Sequence, residues 1–217
     1  MDRFIQLYLM QEITIFTILF GVIPLFIYYL KKVTIKPIEP FLWVVFLASL
    51  YEFFGTIVLK LNSEYWFIIY NFLAFFSIHY FFFKLLKGSY KYVFILFGIL
   101  FLIISVFSFY EWENINYLDI NSYYNSLQTL AVLFFSMLWI VRVFTNLELK
   151  SLTNSPMFYF VSGLILYYSG NVFLFLLSSY IFKIDKSNFQ AFWMLIVILN
   201  LVLRTLLIVG IWKGRQQ

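Results

Sequence analysis

The chain has 217 residues, of which 64% are hydrophobic and 12% charged, with no cysteine and a net charge of +5. Ordinary soluble domains carry about 25% charged residues, so this composition excludes a water-soluble fold and makes the lipid bilayer the solvent. The lack of cysteine excludes disulfides and thiolate chemistry, and the basic excess reads as a topology signal rather than a nucleic-acid surface.

Seven apolar stretches are predicted as transmembrane helices, at 12–30, 40–59, 65–84, 92–110, 123–143, 157–181 and 189–212. A crossing helix needs roughly 20 apolar residues, so these spans leave only short connections, and residues 1–217 are expected to form one all-α membrane domain. The first apolar run continues through Leu30 without a small-residue cleavage site and is expected to stay in the mature protein. Pro24 is expected to kink it. Span two opens at Pro40 and carries Glu52, about 8 residues or roughly 12 Å from its outer end. Span three carries Asn71 at a similar depth and holds the single histidine, His79, near Lys84. Span four has no acidic or basic residue after Lys91. Span five brings Gln128; span six brings Tyr167, Tyr168, Ser169, Gly170 and Asn171; span seven brings Asn200 and Arg204. Tyr28, Tyr29, Tyr65, Trp66, Tyr110, Trp112, Tyr123, Tyr124 and Trp212 crowd the span ends, as interfacial anchors do.

Lysine and arginine divide unevenly between the two sides. Lys31, Lys32, Lys36, Lys84, Lys87, Lys91, Arg142, Lys150, Lys213 and Arg215 fall on one side, and only Arg3, Lys60, Lys183 and Lys186 on the other. The positive-inside rule then predicts an external N-terminus and a cytoplasmic C-terminus. The acidic loop with Glu111, Glu113 and Asp119 falls outside, in agreement. Landmarks also recur: Gln11, Pro40, Gly55, Trp66 and Lys87-Gly88 line up with Gln128, Pro156, Gly170, Trp193 and Lys213-Gly214. Either spans one to three and five to seven are parallel three-helix units joined by a linking helix, a common transporter plan, or the match is chance in a Phe-rich chain.

Ionisable groups inside a span cost about 2.5 to 3.5 kcal/mol each, which makes each a functional candidate. Glu52 and Asn71 are expected to form a carboxyl–amide pair, extended by Gln128, Tyr167, Tyr168, Ser169, Asn171 and Asn200 into a polar cluster in the outer half. Two readings of this cluster stand. It is a site for a small molecule or a proton open to the outside, or it is interhelical hydrogen bonding that holds the bundle together, worth about 0.6 kcal/mol per contact. His79 and Arg204 form an inner-half polar pair of positions. Arg204 is expected to reach along its helix to cytoplasmic headgroups, and His79 to make a structural hydrogen bond.

Several chemistries have no residues to carry them. The last span has no lysine before Lys213, which excludes a retinal Schiff base there; one histidine excludes a multi-histidine metal site. No phosphate loop or carboxylate cluster is present, and Ser169 with His79 is the only crude nucleophile–base combination, at different expected depths. No enzyme activity, metal or cofactor is expected.

Span six reads Pro156-Met157-Phe158-Tyr159-Phe160-Val161-Ser162-Gly163-Leu164-Ile165-Leu166-Tyr167-Tyr168-Ser169-Gly170-Asn171-Val172-Phe173-Leu174-Phe175. This motif, with Leu50-Tyr51-Glu52-Phe53 and Leu61-Asn62 near span two and Asn121-Ser122-Tyr123 entering span five, resembles a family of small seven-transmembrane proteins of Bacteroidetes-type bacteria. Its members often accompany sensor histidine kinases, which implies a membrane input module in the bacterial cytoplasmic membrane. Where the family places Arg and Glu in span five this chain has Asn125 and Gln128, and a third-span Glu position is Ala74; Glu52 is the carboxyl that remains. The leading expectation is a receptor-like subunit that binds a small or lipidic ligand and signals through a partner such as a histidine kinase, since the tail after Trp212 is too short to signal. The alternative is a small-solute transporter with Glu52 as its proton-coupled group.

Overall fold

Apolar runs of this length must close their backbone hydrogen bonds within themselves, and the described residues accordingly form helices with no strand. The structure is a computed structural model. It describes the backbone of residues 3–31, 35–61, 64–110, 117–146, 152–184 and 186–215, with side chains over 10–31, 35–61, 66–107, 122–145, 152–174, 180 and 193–215. Helix α1 (Arg3–Phe20) is followed by α2 (Ile23–Leu30), a 3₁₀ turn (Lys36–Ile38), α3 (Glu39–Leu50) and a π-helical segment (Tyr51–Val58). Then come α4 (Glu64–Leu85), α5 (Lys91–Tyr110), α6 (Tyr117–Asn146), a second 3₁₀ turn (Leu152–Asn154), α7 (Pro156–Ile184) and α8 (Lys186–Gly214). Among the described residues, six stretches are long and apolar enough to cross a membrane: Met10–Leu30, Lys36–Val58, Trp66–Leu85, Ser122–Thr145, Pro156–Leu174 and Trp193–Gly214. A shorter apolar stretch, Lys91–Phe107, lies in α5. This is the architecture of an integral membrane protein.

The first two spans are irregular for local reasons. Pro24 has no N–H to donate and its ring clashes with the preceding turn, so the first span does not bend at Pro24 but breaks at Gly21 and Val22, where α2 restarts with Pro24 in its first turn. There the Gly21 amide reaches both Thr17 O at 3.2 Å and Ile18 O at 3.1 Å. In span two the Leu59 amide bonds Phe54 O at 2.9 Å, the five-residue turn of a π-helix, and the segment is closed by the Leu61 amide on Gly55 O at 2.9 Å, with Lys60 between them at φ +52°. Gly55 suits this because the Tyr51 ring lies 3.2 Å from where its Cβ would stand. Helices α6, α7 and α8 run uninterrupted. Of the landmark pairs, Pro40 and Pro156 both sit in first turns, while Trp66 opens α4 and Trp193 lies two turns into α8. Gly55 and Gly170 also differ, because one lies in a π turn and the other in a regular helix.

Ring contacts set the helix directions. Phe94 packs on Phe83 and Phe135, and Phe101 on Phe75 and Tyr124, so α5 runs antiparallel to α4 and α6. Gly170 faces Leu199 while Gly210 faces Phe160, so α7 and α8 are antiparallel. Arg204 reaches the level of Thr17 and Lys31 lies over the Trp212 ring, so the first span runs parallel to α8. Lipid tails are as apolar as the side chains, so shape and ring geometry hold the core together rather than escape from water. Phe75 stacks on Phe101 at 3.8 Å and Phe94 on Phe135 at 4.1 Å, both nearly parallel. Tyr29, Tyr123 and Trp212 are exposed, as anchors should be. Tyr28 and Tyr124 are not: both are buried, Tyr28 donating to Glu39 and Tyr124 packing on Phe101. Helical rotation of 100° per residue turns one member of each Tyr pair inward.

Lys32, Asn62, Glu111, Trp112, Glu113 and Lys150 lie outside the described residues, as do the side chains of Arg3, Tyr65, Tyr110, Asp119, Asn121, Lys183 and Lys186.

A prediction follows for the ring stack. Phe135→Ala removes a ring that is 1% exposed and touches Phe82, Phe94 and Phe97, and is expected to cost on the order of 3 kcal/mol, mainly as an unfilled cavity. Phe173→Ala, at 72% exposure, should change the unfolding midpoint in the same detergent by a small fraction of that.

Candidate functional site

An isolated cation in a bilayer-spanning bundle must find an anion or carbonyls, and the structure shows where Arg204 finds them. Arg204 is 3% exposed, so the expected reach to cytoplasmic headgroups is corrected. The Cα–Cβ bond of a helical residue tilts toward the helix N-terminus, and the guanidinium climbs α8 in that direction, away from Trp212. Nη1 donates to the carbonyl of Thr17. That carbonyl precedes the break in span one and also accepts from the Gly21 amide. Gly21 is what admits the guanidinium: a Cβ there would strike Ser49 Oγ and stand 2.6 Å from Arg204 Cζ.

The charge facing Arg204 is Glu52. The two interact electrostatically, and the Tyr70 and Tyr167 hydroxyls lie in the field of both. Glu52 is partly buried, at the start of the π segment. Glu52 thus shares its electrostatic environment with the Arg204 guanidinium, which the sequence reading does not place beside it. Asn71 is buried on the neighbouring α4 helix and is engaged in a side-chain interaction. Tyr168 is buried, and its hydroxyl accepts from Gln128 Nε2 at 2.6 Å. It also interacts with Tyr70 and Tyr167. Asn171, one turn from Tyr167 and Tyr168 on the same face of α7, is 0% exposed, and neither its Nδ2 nor its Oδ1 has a hydrogen-bond partner. Asn200 is partly buried, one turn from Arg204 on α8.

Glu52, Gln128, Tyr167, Tyr168 and Arg204, with Thr17 and Tyr70, thus form a polar layer to which the first span, the π segment, α4, α6, α7 and α8 all contribute. Ser169 does not join it. It is exposed, because its position on α7 is rotated away from the face shared by Tyr167, Tyr168 and Asn171. His79 is set apart in an aromatic cage, stacked on Phe75 at 5.3 Å with Phe94 and Phe135 edge-on. Its Nδ1 has no hydrogen-bond partner, and its polar neighbour is the Phe94 backbone. Gln128 nevertheless borders the same narrow, mostly apolar cavity as His79. Sequence reasoning missed Thr17, Gly21, Ser49 and Tyr70. For Arg204 a signal was available, because a lone intramembrane acid and a lone intramembrane base are expected to neutralise each other.

Among the described residues no group of three or more His, Cys, Asp or Glu is placed to hold a metal ion. The chemistry available is charge recognition and hydrogen bonding. Comparison with protein-family models, with curated proteins and with solved structures gives no match to this chain.

Removing one partner of a buried pair strands the other charge, which costs about 3 to 5 kcal/mol, whereas replacing both is much milder. The prediction is that Arg204→Ala destabilises the protein strongly in detergent unfolding, and that Glu52→Gln on that background recovers about 1 to 3 kcal/mol. Strict additivity of the two changes would show that the charges do not interact.

Proposed function

We propose that the chain is a receptor-like input module of the bacterial cytoplasmic membrane. It recognises a small ligand in the polar layer and transmits a helix displacement to a signalling partner. The observation that carries this reading is the Arg204–Glu52 pair. A buried charge pair is weak evidence for stability, and this one sits where two irregular helices meet. Ligand binding between such groups would move the restart of α2 and the π segment, the least regular parts of the bundle. The resemblance to seven-transmembrane proteins that accompany histidine kinases supports a membrane-bound kinase as the partner class.

Seven crossings complete this reading. The full length of α5, antiparallel to both α4 and α6, supports counting it as the fourth. The basic residues Lys31, Lys36, Lys84, Lys87 and Lys91 support a cytoplasmic side at those loops and an external N-terminus. The absence of cysteine makes the orientation directly testable. Leu61→Cys in intact cells should react with a membrane-impermeant maleimide, and Ser89→Cys only after permeabilisation. The opposite pattern would invert the topology.

One observation favours a carrier as the second reading: span one is discontinuous beside the guanidinium, and discontinuous helices at a charged site are a transporter feature. Glu52→Gln separates the two. In a sensor the variant accumulates normally, still copurifies with its kinase from native membranes, and has a fixed kinase output. In a carrier it abolishes pH-dependent uptake. Repeated copurification without any signalling protein would count against the receptor reading, and failure of the variant to accumulate would make Glu52 a structural residue.

A further inference from the structure

A neutral histidine ring has one donor nitrogen and one acceptor nitrogen, and the surroundings of His79 fix which is which. Nδ1 is buried with no hydrogen-bond partner, so the hydrogen bond to the Phe94 backbone belongs to Nε2, which donates to that carbonyl. Nδ1 is then an acceptor with its lone pair in the plane of the ring. Phe75 stacks on the ring at 5.3 Å, and Phe94 and Phe135 stand edge-on at 4.9 Å and 5.5 Å. None of these rings can donate a conventional hydrogen bond to Nδ1. The cavity that His79 shares with Gln128 lies between α4 and α6, with Ala131 and Phe135 among its other walls.

The volume of this cavity, about 10 Å³, is the room that one water needs and too little for a larger polar molecule. A buried water also requires two to four polar partners. His79 Nδ1 is the first. Gln128 is the second: it spends one amide N–H on the Tyr168 hydroxyl at 2.6 Å, and its amide carries another N–H and a carbonyl oxygen. We propose that the cavity is a binding site for a single water, which donates one hydrogen bond to His79 Nδ1 and makes another with the Gln128 amide. The water completes a chain from the Phe94 carbonyl through His79 and Gln128 to the Tyr168 hydroxyl, linking α5, α4, α6 and α7. The other side chains lining the cavity are apolar, so these two partners alone orient it. Gln128 thereby joins the polar layer to the ring cage, and the site stands whether or not that layer takes a ligand.

The test uses the full chain in phosphatidylcholine nanodiscs, with isotope-labelled histidine read by solid-state NMR. His79 is the only histidine, so its ring is seen without competing signals, and its own helical backbone amide serves as the dry reference. A neutral ring protonated at Nε2 is expected, with magnetisation passing from water to Nδ1 severalfold more strongly than to the amide. Transfer to Nδ1 no stronger than to the amide would make the cavity dry and overturn the proposal, and so would a proton on Nδ1. Ala131→Val puts added methyl groups into the cavity and is expected to abolish the transfer. Gln128→Leu removes the second partner and should reduce it severalfold. Undiminished transfer in Ala131→Val would place the water elsewhere, and undiminished transfer in Gln128→Leu would remove Gln128 as its partner; either result overturns the site. If either variant fails to accumulate, the wild-type comparison of Nδ1 with the amide still decides.

Discussion

The placement of one guanidinium organises the polar layer of this bundle. Arg204 turns toward the N-terminal end of α8, the way its Cα–Cβ bond leans, and not toward water at the C-terminal end. The group is therefore buried and must be met by protein. A carbonyl becomes available for it at Thr17, where Pro24 and Gly21 stop the first span from continuing as one helix. The absence of a side chain at Gly21 opens the space, and Glu52 supplies the opposite charge from the start of the π turns. The irregularities in spans one and two thus both border the ion they accommodate.

Below that layer the bundle is held by rings. Stacked pairs between α4, α5 and α6 interlock around His79, which behaves there as one more flat ring. Between α7 and α8 the fit is different. Gly163, Gly170 and Gly210 bring the two helices close enough for Leu203, Leu206, Leu199 and Phe160 to fill the grooves, the small-residue packing that membrane helices use. A regular, closely packed α7–α8 pair thus stands beside irregular first and second spans.

The polar layer was partly legible in advance. Glu52, Asn71, Gln128, Tyr168 and Asn171 are costly in lipid, so their presence in spans already implied burial inside the bundle, and the structure turns all but the partly buried Glu52 fully inward. Ser169 could not be sorted from its neighbours, because small hydroxyl residues are tolerated facing lipid and carry no such signal. Arg204 departs from the sequence expectation for a directional reason: its side chain leaves α8 toward the helix N-terminus and ends at the Thr17 carbonyl.

Composition alone determined that the solvent is a bilayer, that the backbone must be helical, and where most helices begin and end, since these follow from hydropathy, length and proline placement. What tertiary structure decided is which polar groups meet. A 217-residue chain sets each helix's polar face, but the rotation of one helix against another depends on packing of non-neighbouring rings and glycines. Only that packing brings a guanidinium from α8 to the carbonyl of Thr17 and opposite a carboxylate from the second span.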